Sequence, residues 1–376
     1  MRNDMKKRLL DAFKDVENHN EQLLIQLKEQ HRKVVLYGAG YCGQETEKIL
    51  RAHDIPVAAV CDDLRNGETM NGHKICTLSD LTVDEDSAIL VTSGYQAKMK
   101  QNLADHGLMD VYFPSDFGRY EPEKENFSYF QQHERELEEA YGLLSDDLSR
   151  KIFRQLIAYR ISREPGLMEP FEECHQYFPT EGELDLRKYN DCFLDLGAYD
   201  GDSIRGFIAY AGTYRKIIAV EASEKNYQML LEKTKGLAGV ECHCVGIWRE
   251  RGQLHFTVSE AKNSFASEEG STVLDVDSVD DIMNGRPVSF IKMDIEGAEY
   301  DALLGAKETI ARNRPAMAIS VYHTVDDLYR LQLKIEQLSS RGGTVSLLSS
   351  ALFSNDHRNG ALCCAGLTDD IVADAA

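Results

Sequence analysis

Twice along this chain a short run of β-type residues enters a glycine-bearing turn and then a helical pattern, and that arrangement dictates most of what can follow. The first is Val34-Val35-Leu36-Tyr37 leading into Gly38-Ala39-Gly40-Tyr41-Cys42-Gly43. The second is Phe193-Leu194-Asp195-Leu196 leading into Gly197-Ala198-Tyr199-Asp200-Gly201-Asp202. Strand, turn, helix and strand in succession open a doubly wound α/β sheet, because parallel strands need a helix to carry the chain back. Two such openings in 376 residues predict two Rossmann-like domains, since hydrophobic cores of this length divide.

The first opening continues helically through Leu50 to a second strand, Val57–Cys61, that ends on Asp62-Asp63. Further strands are expected at 88–92 and 111–113. The second half restarts the alternation, with strands expected at Cys192–Leu196, Lys216–Glu221, 240–245, 288–294 and 316–321. Between the halves, 121–175 turns charged and helical, with few Gly, Pro or Ser residues, and reads as a helical connector and lid. The organisation expected is an N-terminal helix in 1–32, a nucleotide-binding-type domain in 33–120, the connector, and a second α/β domain in 176–376. Residues 5–30 read as one amphipathic helix, with Leu9, Val16 and Leu23 recurring at heptad spacing beside Phe13, Asn20 and Leu27. That stripe is expected to pack on its own domain, with a homodimer as the other use. The tail from about Ser339 reads as irregular.

Composition narrows the partners. A formal net charge of −21 repels nucleic-acid backbones and anionic membranes. No apolar stretch approaches the ~20 residues of a bilayer span, and the polar N-terminus lacks a signal-peptide core. Nine cysteines without a CxxC pair suggest reduced thiols and a cytoplasmic setting. Cys242 and Cys244 flank His243, yet alternate strand residues share a face, so both thiols are expected to point into a core rather than to bind zinc.

Gly38, Gly40 and Gly43 fit G-x-G-x-x-G: a tight turn, an approach for phosphate, and close helix–strand packing. Asp62 follows at the end of the next strand, where an acid can hold a ribose diol. The run from Asp62-Asp63 through Gly67-Glu68-Thr69-Met70-Asn71-Gly72 to 78–81 looks like the sugar-nucleotide-binding domains ahead of some sugar acyltransferases. That resemblance, over about 33–115, implies a nucleotide or nucleotide-sugar ligand. An NAD-dependent oxidoreductase is the weaker reading, since 33–120 shows no Tyr-x-x-x-Lys or comparable proton relay.

The second turn differs in kind. Gly197 and Gly201 allow backbone to approach a ligand, and Glu221, followed by Ala222, closes the next strand with a carboxylate able to accept two ribose hydroxyls. A dinucleotide would prefer G-x-G-x-x-G. An aspartate ahead of G-A-Y-D-G favours S-adenosylmethionine, which has no phosphates and whose sulfonium suits an acidic pocket. A third strand ends in Lys292-Met293-Asp294-Ile295-Glu296-Gly297-Ala298-Glu299, at the carboxyl edge where open α/β sheets bind ligands.

The segments FLDLGAYDGDSI, IIAVEASEKNYQML, FIKMDIEGAEYDALLGA and PAMAISVYHTVDDLYRL, in this order and spacing, are similar to the FkbM methyltransferases over about 177–335. The resemblance implies a class I methyltransferase fold with a seven-stranded sheet and a reversed final strand, S-adenosylmethionine as cofactor, and O-methylation of a hydroxyl on a saccharide or other small molecule. By position it places the cofactor against Asp195, Gly197, Ala198, Tyr199, Asp200, Gly201, Glu221, Ala222 and Asp294. Lys292, Asp294, Glu296 and His323 would line the reaction centre, with His323 as general base and Lys292 paired to Glu296 or Asp294 or contacting substrate. Asp294, Glu296 and Glu299 offer hard oxygen ligands, but the reading assigns no metal. Two departures stand out: Val245-Gly246-Ile247-Trp248 holds no acid for the adenine amino group, and 344–364 does not closely follow the family's closing hairpin. A binding or regulatory protein that has lost catalysis is therefore the alternative to an enzyme.

Overall fold

The computed structural model describes residues 8–82, 84, 86–93, 96–114, 120–164, 167, 177–178, 185–257, 265–266, 272–339, 344–351 and 359–366. They divide into two compact units, one holding the described residues of 8–132 and 155–167, the other those of 133–154, 177–351 and 359–366. The 121–175 stretch, expected as one connector, is thus shared between them. Among the described residues no helix is long and apolar enough to cross a membrane.

In the first unit a 3-10 turn at Leu9–Phe13 precedes helix α1, His19–Glu29. The single helix expected over 5–30 is broken, and residues 5–7 lie outside the described residues. The reason is local: the Asn18 side chain accepts hydrogen bonds from the backbone N–H groups of Asn20 and Glu21 at 3.0 and 3.2 Å, capping a new helix. Leu23, Leu24 and Leu27 are buried with Val34, Leu36 and Leu50, so this part of the apolar stripe is spent on the unit's own core.

The sheet follows from β1 (Lys33–Tyr37), helix α2 (Tyr41–Ala52), β2 (Val57–Cys61), β3 (Thr69–Met70), β4 (His73–Cys76), β5 (Ser87–Val91), α3 (Gln96–Asp105) and β6 (Val111–Tyr112). Its order is β3-β4-β2-β1-β5-β6. Every pairing is parallel except β3 with β4. That hairpin turns on Asn71 and Gly72, both at positive φ (49° and 89°), as a two-residue hairpin loop requires. Helix α4 (Phe127–Gln132) follows. Beside it Glu125, fully buried, accepts a hydrogen bond from Arg160 at 2.7 Å and pairs with the equally buried Arg163.

In the second unit, α5 (Glu134–Gly142) and the first half of α6 (Asp147–Ser162) lead to β7 (Cys192–Leu196), α7 (Asp202–Ala211), β8 (Lys216–Glu221), α8 (Glu224–Thr234) and β9 (Val240–Cys244). Then come β10 (Gly246–Ile247), β11 (Gly252–Thr257), β12 (Phe265–Ala266), β13 (Thr272–Asp277), α9 (Val279–Met283) and β14 (Phe290–Met293). Helices α10 (Glu299–Leu304) and α11 (Lys307–Asn313), β15 (Ala316–Ser320), α12 (Asp327–Ser339), β16 (Thr344–Ala351) and β17 (Asn359–Gly366) complete it.

The main sheet has seven strands in the order β16-β17-β15-β14-β7-β8-β9, and β17 runs antiparallel to both its neighbours. This is the class I methyltransferase order with its reversed strand. The tail expected to be irregular after Ser339 instead supplies the last two strands. A separate sheet, β10-β13-β11-β12, was not legible in advance, because its strands interrupt the helix–strand alternation. Phe193 and Phe290 stack 5.1 Å apart on neighbouring strands, and Phe207 of α7 lies 4.4 Å from Phe193. That aromatic core fixes the helix after the glycine turn against the sheet.

Glu125 offers a direct test of the first unit. Glu125→Ala leaves a buried guanidinium without its counter-charge and is expected to cost about 3–5 kcal/mol in urea unfolding. A loss below ~1 kcal/mol, the range of an exposed pair, would contradict the burial of that charge.

Candidate functional site

Strands β8, β7 and β14 are parallel neighbours, so Glu221, Gly197 and Asp294 emerge together at their carboxyl ends. The turn after β7 is pinned on both sides. Gly197 and Ala198 donate their N–H groups to the carbonyl of Val220 at 2.9 and 3.0 Å. Gly197 sits at φ +81°, and a Cβ there would overlap the carbonyl oxygen of Asp294, so only glycine allows the two strand ends to approach this closely. Ala198 is buried and presents backbone alone.

Glu221 closes β8 with its carboxylate aimed at the turn. One oxygen accepts from the N–H of Tyr199 at 2.9 Å, the other from the N–H of Ser223 at 2.8 Å and from Asn226 at 3.4 Å. Burial raises its pKa above the ordinary value, and the two backbone N–H groups oppose that shift. The oxygen facing Tyr199 keeps a lone pair for a further donor, and on the other the Asn226 contact at 3.4 Å is the weakest of the three. Asp200 is turned elsewhere: Lys233 and Arg205 engage its carboxylate, which fastens the turn to α7 and α8. Ala222 is half-buried just beyond Glu221.

Lys292 faces Asp195 across the β14–β7 register, Nζ to Oδ1 at 3.2 Å, and donates to the carbonyl of Gly197 at 2.7 Å. Both side chains are buried, and Ser203 donates to the other Asp195 oxygen. Burial opposes the charge on Lys292, but Asp195, Asp294 and Asp202 hold the ammonium protonated. Lys292, expected to pair with Glu296 or Asp294, pairs with Asp195, which stands directly opposite it in the β14–β7 register.

Asp294, Glu296, Glu299 and His323 do come together. The His323 side chain is 4% exposed, with Nδ1 3.1 Å from Glu299 and Nε2 3.3 Å from Asp294 and 3.5 Å from Glu296. Burial disfavours charge on the ring, yet Glu299, Glu296 and Asp294 together raise its pKa well above the ordinary value. Asp327, at the start of α12, lies close enough to Glu299 that burial and that carboxylate push its own pKa up to about 6.

Two tyrosines had no place in the sequence-based expectations. Tyr177 and Tyr322 donate their hydroxyls to the two oxygens of Asp294, at 2.6 and 3.1 Å. Tyr322 adjoins His323 in the VYHT segment. No local signal marks Tyr177, which lies 117 positions from its partner.

In the first unit the glycine turn is built as expected: a Cβ on Gly43 would overlap the carbonyl oxygen of Gly38, so helix and strand meet in close contact. Asp62, however, accepts from the N–H of Ala39 at 2.9 Å and of Leu64 at 3.0 Å, and Arg65 donates to the Ala39 carbonyl at 2.7 Å. The loop is thereby tied to the next strand, and Gly40 stands at the start of α2 with open space beside it. On β9 the expectation for the cysteines fails in part. Cys242 packs on the core, but Cys244 is exposed and its thiol donates to Glu224, while His243 pairs with Glu241 at 2.8 Å.

The buried pair sets a measurable cost. Lys292→Met strands the Asp195 carboxylate in the core and is expected to lower stability by about 3–5 kcal/mol, with part of the loss recovered in Lys292→Met/Asp195→Asn. Strict additivity of the two substitutions in denaturant unfolding would show that the groups do not act as a pair.

With this geometry in place, comparison with known proteins is informative. Residues 195–343 match the methyltransferase FkbM domain model. No curated protein sequence matches. Among solved structures, the chain resembles the methyltransferase FkbM from Methylobacillus flagellatus KT, at 21% identity and a TM-score of 0.69, covering 93% of this chain and 94% of that one. Fibrillarin from Aeropyrum pernix, solved with natively bound S-adenosyl-L-methionine, aligns with 49% of this chain and 70% of its own at 15% identity, with a TM-score of only 0.33. An rRNA methylase from Streptococcus thermophilus aligns with 48% of this chain and 90% of its own, at 15% identity and a TM-score of 0.32. The last two are too distant to bear on mechanism. What is similar to the methyltransferase FkbM domain is thus residues 195–343, the part of the second unit that holds the glycine turn, Glu221 and the Asp294 cluster.

Proposed function

We propose that the second unit transfers the methyl group of S-adenosylmethionine to a hydroxyl of a saccharide or other small-molecule acceptor. One observation carries this reading: the Glu221 carboxylate, held by two backbone N–H groups, is aimed at the glycine turn after β7. Such a carboxylate accepts both hydroxyls of a ribose diol. The turn's backbone, from Gly197 to Gly201, offers peptide groups to the cofactor's amino-acid end. The acidic edge formed by Glu221, Asp294 and Glu296 complements a sulfonium charge. When bound, the cofactor supplies an activated methyl carbon, which passes to the acceptor oxygen as its bond to sulfur breaks.

The chain's own task is alignment and removal of one proton. Holding two reactants in line is worth about 7–11 kcal/mol. Tyr177 and Tyr322 keep Asp294 in one orientation at the wall between cofactor and acceptor. Glu296, 29% exposed while His323 and Glu299 are enclosed, is the member of the cluster that an acceptor reaches, and it takes the hydroxyl proton. His323 positions the carboxylates around it. The glycine turn at the start of α2 supports a nucleotide or nucleotide-sugar ligand in the first unit.

Calorimetric titration with S-adenosylmethionine and S-adenosylhomocysteine tests the reading. Wild type is expected to bind in the micromolar range, about −8 kcal/mol. Glu221→Ala is expected to lose at least about tenfold, ~1.4 kcal/mol. Glu296→Gln should bind the cofactor normally and transfer methyl to hydroxyl acceptors about 10²–10⁴-fold more slowly. A folded wild type that binds neither compound would overturn the proposal.

A further inference from the structure

Several carboxylates meet around His323 at the ends of β14 and β15. Asp294 and Glu299 are enclosed, Glu296 is near, and Asp327 lies close behind. The one strong cation nearby on the sheet, among the described residues, is Lys292, and it is directed at Asp195 and the Gly197 carbonyl. Uncompensated carboxylates are costly to bury. His323 answers only part of this. Its nitrogens lie within ion-pair distance of three carboxylates, but neither makes a properly directed hydrogen bond, and Glu299 Oε2 is likewise unsatisfied. Three fully enclosed polar atoms without a hydrogen bond, in one place, call for a partner.

From this geometry we infer that Asp294, Glu299 and His323 bind a divalent transition-metal cation. One ligand atom from each lies within 4.8 Å of the others, and among the described residues no other group of three such side chains meets that condition. Imidazole with carboxylates suits Mn²⁺, Fe²⁺ or Zn²⁺ better than the all-oxygen preference of Ca²⁺. Ligand-to-metal distances of about 2.0–2.2 Å put neighbouring donors roughly 3 Å apart, so a small inward movement closes the site. The outer support is already present: Tyr177 and Tyr322 donate to Asp294, and the N–H of Ile295 donates to Glu299 at 2.9 Å. Such groups orient ligands and sharpen affinity. Three protein ligands leave positions open, and the ion's role rests on the methyl-transfer reading: it would hold the acceptor oxygen beside Glu296.

Mn²⁺ is the probe. Chelator-stripped protein is titrated with MnCl₂ while free Mn²⁺ is followed by electron paramagnetic resonance, and the bound ion is examined for ¹⁴N coupling by pulsed methods. One Mn²⁺ per chain with imidazole nitrogen coupling is expected, displaced by Zn²⁺. Glu299→Gln should weaken binding at least about tenfold, in line with losses seen even for outer-shell partners. Wild type that retains no Mn²⁺ beyond the weak uptake of an acidic surface, or that binds it without nitrogen coupling, overturns the inference. The nitrogen signal is read on wild type, so the outcome does not depend on whether Glu299→Gln folds. Titration of the stripped protein with S-adenosylmethionine separates the two ideas. Cofactor binding without a metal site leaves methyl transfer standing and removes the ion; a metal site without cofactor binding does the reverse.

Discussion

One buried ammonium organises the carboxyl edge of the second unit's sheet. Lys292 reaches from β14 to Asp195 on β7 and to the carbonyl of Gly197, tying two neighbouring strands to the turn between β7 and α7. Its chain also lies against the ring of Tyr177, 5.1 Å from the centroid, and the same tyrosine donates to Asp294. A slip of one residue in the β7–β14 register would put Lys292 and Asp195 on opposite faces of the sheet. Strand register, turn geometry and orientation of the site's carboxylate therefore depend on one pair of charges that water cannot screen.

Because Lys292 is consumed by structure, it leaves the carboxylates at the strand ends to other partners. Glu221 is held by backbone N–H groups and Asp294 by two tyrosine hydroxyls. Both are thereby fixed in orientation at the carboxyl edge of the sheet. Around Glu299 and His323 hydrogen bonding is incomplete. Preorganised charge of this kind is stable only inside a scaffold that overdetermines it. The aromatic stack of Phe193, Phe207 and Phe290 directly beneath the turn supplies that rigidity.

Much of this was legible along the chain. Strands β7, β8 and β14 are largely apolar runs with an Asp or Glu at or next to their carboxyl ends, and buried parallel strands read that way. Their carboxyl ends meet by topology, so Asp195, Gly197, Glu221 and Asp294 were expected near one another. The break at Asn18, the small β10–β13 sheet and the last two strands, β16 and β17, were not. Each depends on pairing or capping whose sequence cues are weak, because edge and short strands have little apolar patterning. The partner of Lys292 was missed for a different reason: Asp294 and Glu296 lay closer in sequence, and only the register between β14 and β7 sets Asp195 opposite it.

The sequence alone determined which residue types stand at the strand ends, that two glycine turns open two α/β units, and that the second turn departs from the G-x-G-x-x-G spacing of the first. These are consequences of local pattern: side-chain period, glycine placement and the chemistry of the terminal residue. Tertiary structure decided how the charges are shared. It turned Asp200 toward Lys233 and Arg205, gave Lys292 to Asp195, brought Tyr177 to Asp294, and enclosed His323 among carboxylates. Such allocations are set by distance and burial between residues far apart in the chain, since electrostatic and hydrogen-bond energies depend on separation and dielectric, and a linear sequence specifies neither until the sheet has formed.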